Sequence, residues 1–281
     1  MQEGGSVWTS GPRVRLRAWP TWSRRGAAAC FFSRIAGQGT GAAIINISGG
    51  VAAGERIEGH LACGEATDLL VTSQAAERIY RARPDDAPAE IAVSCHVAAN
   101  ARLEWLPHGT IFFDGSRLHR HMAVDMAGSA SFLFLENRIF GRQGSGEHLS
   151  RLGVRDRLSI GRDGELLLED MLRLDSMDVS ALLAQPAVMG GQGAVATLVL
   201  VSPQAMDVLP VLRLRLIALK CAGVAASAWN DMLVARGLGP GGLSLEVAVP
   251  HILPVQDRGK VVLAGQACDL VAEDVRSHIT I

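Results

Sequence analysis

Short apolar runs of four to ten residues recur along the chain from about residue 40, and Gly, Pro, Asp or Asn separates many of them. In the run RIEGHLAC, Ile57 and Leu61 alternate with Arg56, Glu58 and His60. This period of two is typical of a β-strand that buries one face. Because many such runs follow one another with turn residues between them, the sequence predicts a mainly β protein.

The runs predicted as strands are AAIINI, RIEGHLAC, DLLVTS, EIAVSCHV, ARLEWL, TIFF, HMAVDM, SFLFLENRIF, RDRLSI and ELLLEDMLRL. Between the last two runs, Asp163 and Gly164 form the residue pair that a two-residue hairpin turn favours. We therefore expect these two runs to pair as an antiparallel hairpin. Later in the chain, GVAASAWNDMLVARGL returns to a strand-like pattern.

Residues 177–222 depart from this pattern and predict a helical insert. In QAMDVLPVLRLRLIALKC, the apolar residues from Met206 to Leu216 recur at helical spacing. Pro210 is expected near the true start of this helix, because proline is tolerated in the first turn. DVSALLAQPAVMGG predicts a shorter helix that ends near Gly190. Strands and helices do not alternate as βαβ units, so a doubly wound fold is disfavoured.

The two ends of the chain lack the regular strand pattern. Residues 1–28 mix Gly, Pro, Ser and Trp with arginines and predict an irregular basic leader. Residues 29–281 are expected to form one β scaffold, whose length is within the range of single all-β domains. Within it, the tail at residues 237–281 shows the weakest pattern.

The formal net charge of −1 gives the whole protein no electrostatic preference for nucleic acid or for an anionic membrane surface. No apolar run reaches the roughly 18 residues of a membrane-spanning helix. The first residues also lack the charged-then-apolar pattern of a secretory signal. We therefore expect a cytoplasmic protein that has neither a nucleic-acid partner nor a membrane partner.

Common catalytic and metal-binding motifs are missing from the sequence, which has no CxxC, HExxH, GxSxG or GK[ST]. The glycines of GQGTGAAIINISGG precede a strand-like run instead of a helix, so a dinucleotide fingerprint is disfavoured. The cysteines are Cys30, Cys63, Cys95, Cys221 and Cys268. Because they are scattered and odd in number, we expect isolated buried thiols instead of disulfides or a zinc site.

Three carboxylates lie inside apolar runs: Glu104 in ARLEWL, Glu136 in SFLFLENRIF and Glu169 in ELLLEDMLRL. Burying a carboxylate without a partner is costly. Pairing with one of the many arginines is the default expectation for any single site. Several inward carboxylates in one sheet would instead form a polar interior path, along which a divalent cation binds weakly.

Two histidines, His119 and His121, lie two residues apart and therefore on one face of a predicted strand. With a third ligand from a neighbouring strand they could bind a transition metal. Because Arg117 and Arg120 lie beside them, a polar, solvated outer face at an edge of the sheet is the favoured interpretation.

Six stretches occur in an order found in one protein family. They are NISGGVAAGERIEGHL, LLVTSQAAERIYRA, ARLEWLPHGTIFFDGSRL, LENRIFGRQGSGE, GELLLEDMLRLD and SAWNDMLVAR. From about Ala43 to Arg236, this set resembles the urease accessory protein family UreD, called UreH in some organisms. Residues 1–40 and 237–281 do not match the family pattern, so we expect these ends to be divergent.

The resemblance implies a mainly β scaffold of stacked, helicoid antiparallel or mixed sheets, with a small helical insert and no enzymatic activity. It implies partners as well: the accessory protein UreF, the GTPase UreG that UreF recruits, and apo-urease. In this interpretation the protein is a chaperone of nickel insertion. Nickel would pass transiently through an internal tunnel lined with polar and acidic residues, and no cofactor would be tightly bound.

The resemblance also implies candidate metal residues. The family pattern GGLxGGD reads GGVAAGE here, so Glu55 stands where Asp is usual. Glu104 and Asp114 match acidic positions around the EWLP motif, and Glu136 matches the acid of the WExxxxGR motif. Together with Glu169, these four residues form the predicted nickel path.

Two other functions stay open. A structural adaptor that only joins urease to UreF would not depend on interior carboxylates. A β-sheet hydrolase would use Asp114 with a nearby carboxylate, which requires an open cleft, two carboxylates about 5–9.5 Å apart and a raised pKa.

Overall fold

A computed structural model of the chain describes residues 14–19, 28–35, 39–218 and 223–240. The strands in these ranges are β1 (Val14–Trp19), β2 (Ala28–Ile35), β3 (Gly39–Asn46), β4 (Arg56–Cys63), β5 (Asp68–Ser73), β6 (Glu77–Ile79), β7 (Ala89–Val97), β8 (Arg102–Trp105), β9 (Thr110–Phe112), β10 (Arg117–Met126), β11 (Ser131–Phe140), β12 (Leu152–Arg162), β13 (Glu165–Ser176), β14 (Ala194–Val201), β15 (Val224–Trp229) and β16 (Met232–Gly239). The helices are α1 (Val179–Ala184), α2 (Ala205–Ala218) and a short 3₁₀ helix (Gln143–Ser145).

The described strands form two facing sheets. The first sheet has six strands in the order β1-β4-β7-β10-β12-β13, and the second has ten, with the main order β15-β16-β14-β11-β8-β5-β3-β2. In the first sheet β4, β7, β10 and β12 run parallel, and in the second β3, β5, β8 and β11 run parallel. Antiparallel strands flank both parallel blocks.

The parallel pairing follows from the path of the chain. From β3 to β12 the chain passes back and forth between the two sheets, so each coil adds a strand to both. Two parallel strands need a crossover connection, and here a strand of the facing sheet provides it. The prediction of a mainly β scaffold of stacked, antiparallel or mixed sheets is therefore confirmed, and both sheets are mixed.

Three apolar clusters hold the layers together. The distal core lies between the sheets and includes Leu61, Cys95, Met122, Val124, Phe132, Phe134, Leu158 and Val199. The proximal core lies between the sheets at the other end and includes Val51, Ile79, Phe112, Leu118, Phe140, Val154 and Leu174. The helix-side cluster lies on the opposite face of the ten-stranded sheet and includes Leu70, Leu133, Leu135, Leu198, Leu212 and Leu216.

The predicted hairpin is confirmed. Strands β12 and β13 pair antiparallel, and the turn between them has positive φ angles at Asp163 (54°) and Gly164 (83°). Two successive positive φ angles define the turn type that fits the right-handed twist of a hairpin. The strand-like pattern of GVAASAWNDMLVARGL forms a second hairpin, β15–β16, with positive φ angles at Asn230 and Asp231.

The helical insert is only partly as predicted. Helix α1 ends at Ala184 and not near Gly190, because Gln185 precedes Pro186 and takes an extended conformation (φ −64°, ψ 131°). Between the two helices, β14 occupies a central position in the ten-stranded sheet. Its run AVATLVLV is apolar on both faces, as expected for a strand covered on both sides.

Helix α2 is confirmed, but the prediction about its start is wrong. The helix begins at Ala205, after a turn in which the Ser202 carbonyl accepts a hydrogen bond from the Ala205 amide at 2.9 Å. Pro210 lies inside the helix. Neither α1 nor α2 has the length and continuous apolar sequence needed to cross a bilayer, and the described ranges contain no longer helix.

The prediction of an irregular leader is wrong for residues 14–19, which form β1. The sequence VRLRAW alternates apolar and polar residues, and β1 pairs antiparallel with β4. Arg15 and Arg17, which suggested a basic leader, are therefore the polar positions of a strand. The remainder of the predicted leader lies outside the described residues, apart from Ala28, which begins β2. Most of the predicted tail, residues 241–281, also lies outside them.

Candidate functional site

A band of polar side chains, called the polar layer below, separates the distal core from the proximal core. It consists of Thr110, Arg120, Glu136, Arg138, Asp156 and Thr197. On β10, Arg120 takes the alternate position between Leu118 of the proximal core and Met122 of the distal core. Since alternate residues share a face of a strand, Arg120 points into the space between the sheets. Asp156 on β12 takes the corresponding position, directly opposite Arg120.

Ion pairs connect the charged members of the polar layer. Arg120 donates to both carboxylate oxygens of Asp156, from Nε at 2.8 Å and from Nη2 at 2.6 Å. The same Nη2 lies 2.9 Å from Oε1 of Glu136. Arg138 donates to Asp156 from its Nε. Two guanidinium groups thus face two carboxylates, and the four formal charges cancel.

Two hydroxyl groups complete the hydrogen bonding of the polar layer. The Thr110 hydroxyl donates to Oε1 of Glu136 at 2.7 Å and accepts from Nη1 of Arg120 at 2.9 Å. Thr197, on β14, accepts from Nη1 of Arg138 at 3.2 Å. Buried charges stabilise a fold only when such partners are present.

The electrostatics of the polar layer follow from burial and pairing. Burial alone would raise the pKa of Asp156, but the Arg120 and Arg138 guanidinium groups outweigh it and hold that pKa well below its usual range. Burial alone would lower the pKa of Arg120, but the carboxylates of Asp156 and Glu136 outweigh it and raise that pKa above its usual value. Both groups therefore stay charged throughout the physiological pH range.

A cavity of about 340 Å³ lies between the two sheets and reaches the polar layer. Arg120, Glu136, Arg138 and Asp156 line one part of it. The segment from Ser73 to Arg78 lines another part, together with Asn46 and the β4 residues from Ile57 to Leu61. The cavity thus joins a neutral, charge-paired region to a region that carries the carboxylate of Glu77.

Glu77 is the carboxylate of this second region with the most unusual environment. Nδ2 of Asn46 donates to both of its oxygens, at 3.0 and 3.1 Å. In the part of the chain that the structure describes, no arginine or lysine lies within ion-pair distance of it. Burial raises the pKa of Glu77 and outweighs the hydrogen bonds from Asn46 and the Arg78 amide and the attraction of the Arg120 charge, which lower it; the charge of Glu55 adds a smaller upward effect.

Of the five acids predicted to form a path, only Glu136 lines this cavity. Glu55 lies half-buried in the turn before β4, where its Oε2 accepts a hydrogen bond from the Ala52 amide at 2.9 Å. Glu169 lies exposed on the outer face of the six-stranded sheet, bonded to Arg157 and Ser159.

Glu104 is buried, but on the opposite face of the ten-stranded sheet. Its strand neighbours Leu70 and Leu133 both belong to the helix-side cluster. Nε of Arg102 lies 2.8 Å from Oε1 of Glu104. This acid therefore has the arginine partner that was the default expectation, and it does not face the cavity.

Asp114 joins three loops at the proximal end of the molecule. Its Oδ1 accepts hydrogen bonds from the Ser150 amide at 2.6 Å, the Ser150 hydroxyl at 2.8 Å and the Arg151 amide at 3.2 Å, and its Oδ2 pairs with Arg81. Burial raises the pKa of Asp114, but these hydrogen bonds outweigh it and the pKa is lowered. The hydrolase hypothesis needs a raised pKa at this residue, and this geometry gives the opposite.

The two histidines of β10 do not lie at an edge, because β10 is flanked by β7 and β12. His119 and His121 are half-buried on the outer face of the sheet, and Nε2 of His121 lies 3.1 Å from the Ser159 hydroxyl. The prediction of an outer-face position is confirmed, but that of an edge position is wrong. The described residues contain no group of three or more His, Cys, Asp or Glu side chains arranged to hold a metal ion.

Among the cysteines, Cys63 and Cys95 are free and buried, as expected. Burial raises the pKa of each thiol to about 12, so both stay protonated. The side chains of the other three cysteines lie outside the described part of the chain.

Sequence reasoning missed Arg120, Asp156 and Glu77 as site residues. For the first two a signal was present, because each interrupts an apolar alternation at the position that faces the core: LHRHM around Arg120 and VRDRL around Asp156. For Glu77, in the short strand ERI, we find no comparable pattern.

Comparison with known proteins identifies the family. The family model of the UreD urease accessory protein matches residues 25–265. The match extends beyond the stretch on which the resemblance rested, and it includes much of the C-terminal region that we expected to be divergent.

Individual relatives agree over most of their length. The urease accessory protein UreD of Methylobacterium sp. (strain 4-46) is 40% identical over 224 residues, which cover 78% of each chain. UreD of Xanthobacter autotrophicus (strain ATCC BAA-1158 / Py2) is 41% identical over 204 residues, 73% of this chain and 69% of that protein. UreD of Paracoccus denitrificans (strain Pd 1222) is 37% identical over 233 residues, 83% and 82% of the two chains. The chain therefore belongs to the UreD family of urease accessory proteins.

Proposed function

We propose that this protein is a non-enzymatic scaffold of urease maturation, which helps UreF and UreG to insert nickel into apo-urease. Membership in a family of urease accessory proteins supports the role in maturation. The cavity between the sheets supports the passage of a small hydrated cation through the protein. A cavity of about 340 Å³ holds several water molecules, given a share of about 30 Å³ for each in the liquid.

The carboxylates of the cavity would interact with nickel unequally. Glu136 already shares Arg120 with Asp156, so a cation there would have to compete with a guanidinium group. Glu77 lines the same cavity, and within the described residues its hydrogen bonds come from neutral amides, chiefly that of Asn46. A divalent cation favours the ionised form of a carboxylate, so it would lower the raised pKa of Glu77. We therefore assign Glu77 as the principal cation contact and Glu136 as a weaker one.

Weak, successive contacts suit a carrier better than a tight site does. A cation that must leave again requires few ligands at each position, and the described residues provide no cluster of three. The polar layer has no net charge, so a cation would pass it with neither strong trapping nor strong repulsion. In this proposal nickel is cargo, and the protein has no resident metal.

The experiment is co-expression with UreF, UreG and apo-urease, followed by co-purification and a urease activation assay with added nickel. We expect Glu77→Gln and Glu136→Gln to keep partner binding and to lower activation, with the larger loss for Glu77→Gln. The matched control is Glu169→Gln, which removes a carboxylate from the outer face and should activate urease normally. Failure to co-purify with the other accessory proteins would contradict the scaffold role.

A purely structural adaptor is the second candidate function. It is favoured by the observation that Glu104 and Asp114 are bound to arginines or backbone amides and do not line the cavity. The same assay separates the two functions. Normal activation by both cavity variants, with intact complexes, would leave only the adaptor role.

A further inference from the structure

Among the described strands, β13 is the outer strand of the six-stranded sheet, and it is long and unpaired along one edge. It runs for twelve residues, Glu165–Ser176, and pairs only with β12 among the strands that the structure describes. A strand at the edge of a sheet presents backbone N–H and C=O groups that can pair with another chain. Short length, a proline, charged side chains, a bulge or a covering element can block such pairing. β13 contains no proline, and its register shift against β12, between Ile160 and Gly161, lies near its start.

Exposed apolar side chains follow the same edge. Leu166 is 68% exposed and Met171 53% exposed, and Met177 just after the strand is 80% exposed. Single exposed apolar residues are common on protein surfaces. Three of them along one open strand edge are typical of an association site.

An uncompensated pair of like charges lies beside this edge. Arg155 on β12 is directly opposite Arg173 on β13, and both side chains are exposed on the outer face of the sheet. Like charges at opposed positions of two strands repel each other. Within the described ranges, neither guanidinium group takes part in an ion pair. The edge therefore attracts a carboxylate from outside the chain.

We propose that a second copy of this chain docks on this edge, so that the two β13 strands pair antiparallel about a two-fold axis at Met171. In this register Glu169 of each copy lies opposite Arg173 of the other, and the two Met171 side chains meet on the axis. Glu169, Met171 and Arg173 alternate with the inward-facing Asp170 and Leu172, so these three side chains share the outer face. The two six-stranded sheets then become one continuous sheet with an isologous interface.

Charge complementarity selects this register over its neighbours. Moving the axis to Leu172 would place Glu169 opposite Asp175, which is repulsive. Moving it to Asp170 would place Glu165 opposite Asp175 and leave Arg173 without a carboxylate. Of these three registers, only the axis at Met171 gives each Arg173 a carboxylate partner and relieves its repulsion with Arg155. The inference goes beyond the proposed function and does not depend on it.

The test is the mass of the purified full-length protein in solution, measured by light scattering after size exclusion and by sedimentation across a concentration series. We expect a dimer at micromolar or higher concentration. Arg173→Glu places an acidic group opposite Glu169 of the other copy at two symmetric positions. It should raise the dissociation constant of the dimer about tenfold or more. Arg83→Glu, an equal charge change at an exposed loop residue, is the matched control and should leave the dimer intact. Unchanged circular dichroism and urea midpoints show that the variants are folded.

Cross-linking tests the register. Met171→Cys should form a disulfide between the two copies under mild oxidation, which mass spectrometry identifies as two identical peptides joined at position 171. Asp175→Cys should not, because residue 175 faces residue 167 of the second copy. A monomer at all concentrations would overturn the proposal, and so would a dimer that resists Arg173→Glu and gives no cross-link through residue 171. A monomer that needs Arg173 to bind urease or another accessory protein would also overturn it, since the edge would then receive a different strand.

Discussion

The two faces of the ten-stranded sheet bury glutamates of similar sequence context in different ways. Glu136 and Glu104 both lie within apolar strands, and they are 3% and 6% exposed. On the inner face, Glu136 belongs to a network of two arginines, two acids and two threonines. On the outer face, Glu104 has Arg102 as its ion-pair partner between leucines of the helix-side cluster.

The difference is between local partners and a network that crosses two sheets. A neighbouring arginine such as Arg102 helps to satisfy a buried carboxylate, and it needs no cavity. A network across two sheets requires polar residues at matching positions on several strands, and these positions would otherwise extend the apolar core. Such a network is retained in a core only at a cost in desolvation. The inner face is therefore where we expect substitutions to change urease activation as well as stability.

The largest expected effect is at Asp156, which holds both arginines of the polar layer. Asp156→Asn removes one negative charge and leaves two buried guanidinium groups with Glu136 as their remaining charged partner. We expect the free energy of unfolding to fall by about 3–5 kcal/mol, the usual cost of breaking a buried ion pair from one side. Urea denaturation followed by circular dichroism measures this loss.

The control for Asp156→Asn is Asp175→Asn, the same chemical change at an exposed position of the same hairpin. It should alter the free energy of unfolding by less than about 0.5 kcal/mol. Because the pKa of Asp156 is lowered in the folded protein, its contribution is complete above the usual aspartate pKa and is lost as the pH falls below it. The difference in the free energy of unfolding between wild type and Asp156→Asn should accordingly become smaller at acidic pH. A difference independent of pH would show that the charge of Asp156 is not what stabilises the polar layer.

The next effect compares Glu136→Gln directly with Glu104→Gln. Both substitutions keep the shape and remove a buried charge, so each should lower the free energy of unfolding by about 1–3 kcal/mol. Only Glu136→Gln should lower nickel-dependent urease activation, because only Glu136 lines the cavity. Equal losses of activation at matched stability would indicate that the two faces do not differ in function.

Most of the architecture could be predicted from local pattern. Strands β4, β5 and β11 coincide with the predicted runs, since their apolar residues alternate or form short continuous runs between turn residues. The Asp163–Gly164 hairpin was predictable for the same local reason. β1 was not recognised because its arginines resemble a basic leader, although its pairing with β4 makes it a strand. Pairing between distant segments is what local pattern does not encode.

The site was less predictable than the fold, because a carboxylate in an apolar run can face either side of a sheet. Sequence context alone did not distinguish Glu136 from Glu104, and the family resemblance assigned Asp114 to a metal path although Asp114 binds loop amides. The direction of each side chain depends on the register with neighbouring strands. Charged residues at core-facing positions, such as Arg120 and Asp156, are the better sequence signal for a polar layer.

A smaller effect is expected at Glu77, which has no arginine ion pair within the described residues. Its raised pKa means that the folded protein binds a proton more readily than the unfolded chain does, so the ionised form costs stability at neutral pH. Glu77→Gln removes that cost and can keep the hydrogen bond from Asn46. We expect a small increase in the free energy of unfolding at pH 7, below about 1 kcal/mol.

The pH dependence of the stability of Glu77→Gln tests whether the ionised carboxylate is the cause. The increase in the free energy of unfolding should disappear as the pH falls below the usual glutamate pKa, where Glu77 is protonated in both the folded and the unfolded protein. Thermal unfolding of wild type and variant between about pH 4 and pH 8, a range that spans the usual glutamate pKa, measures it. A variant that is less stable than wild type at neutral pH would mean that the carboxylate has a favourable partner in solution, and its assignment as the open cation contact would fail.

The smallest effect is expected at Glu169, on the outer face of the six-stranded sheet. Hydrogen bonds from Arg157 and Ser159 lower its pKa, but the pair is exposed, and solvent screens such pairs so that their effect on stability is small. Glu169→Gln should therefore change the urea midpoint only slightly and leave urease activation unchanged. Its main consequence would be at the strand edge, where it removes the charge that faces Arg173 of a second copy. A loss of activation with an unchanged oligomeric state would move the cation path to the outer face, and the comparison of inner and outer carboxylates would be reversed.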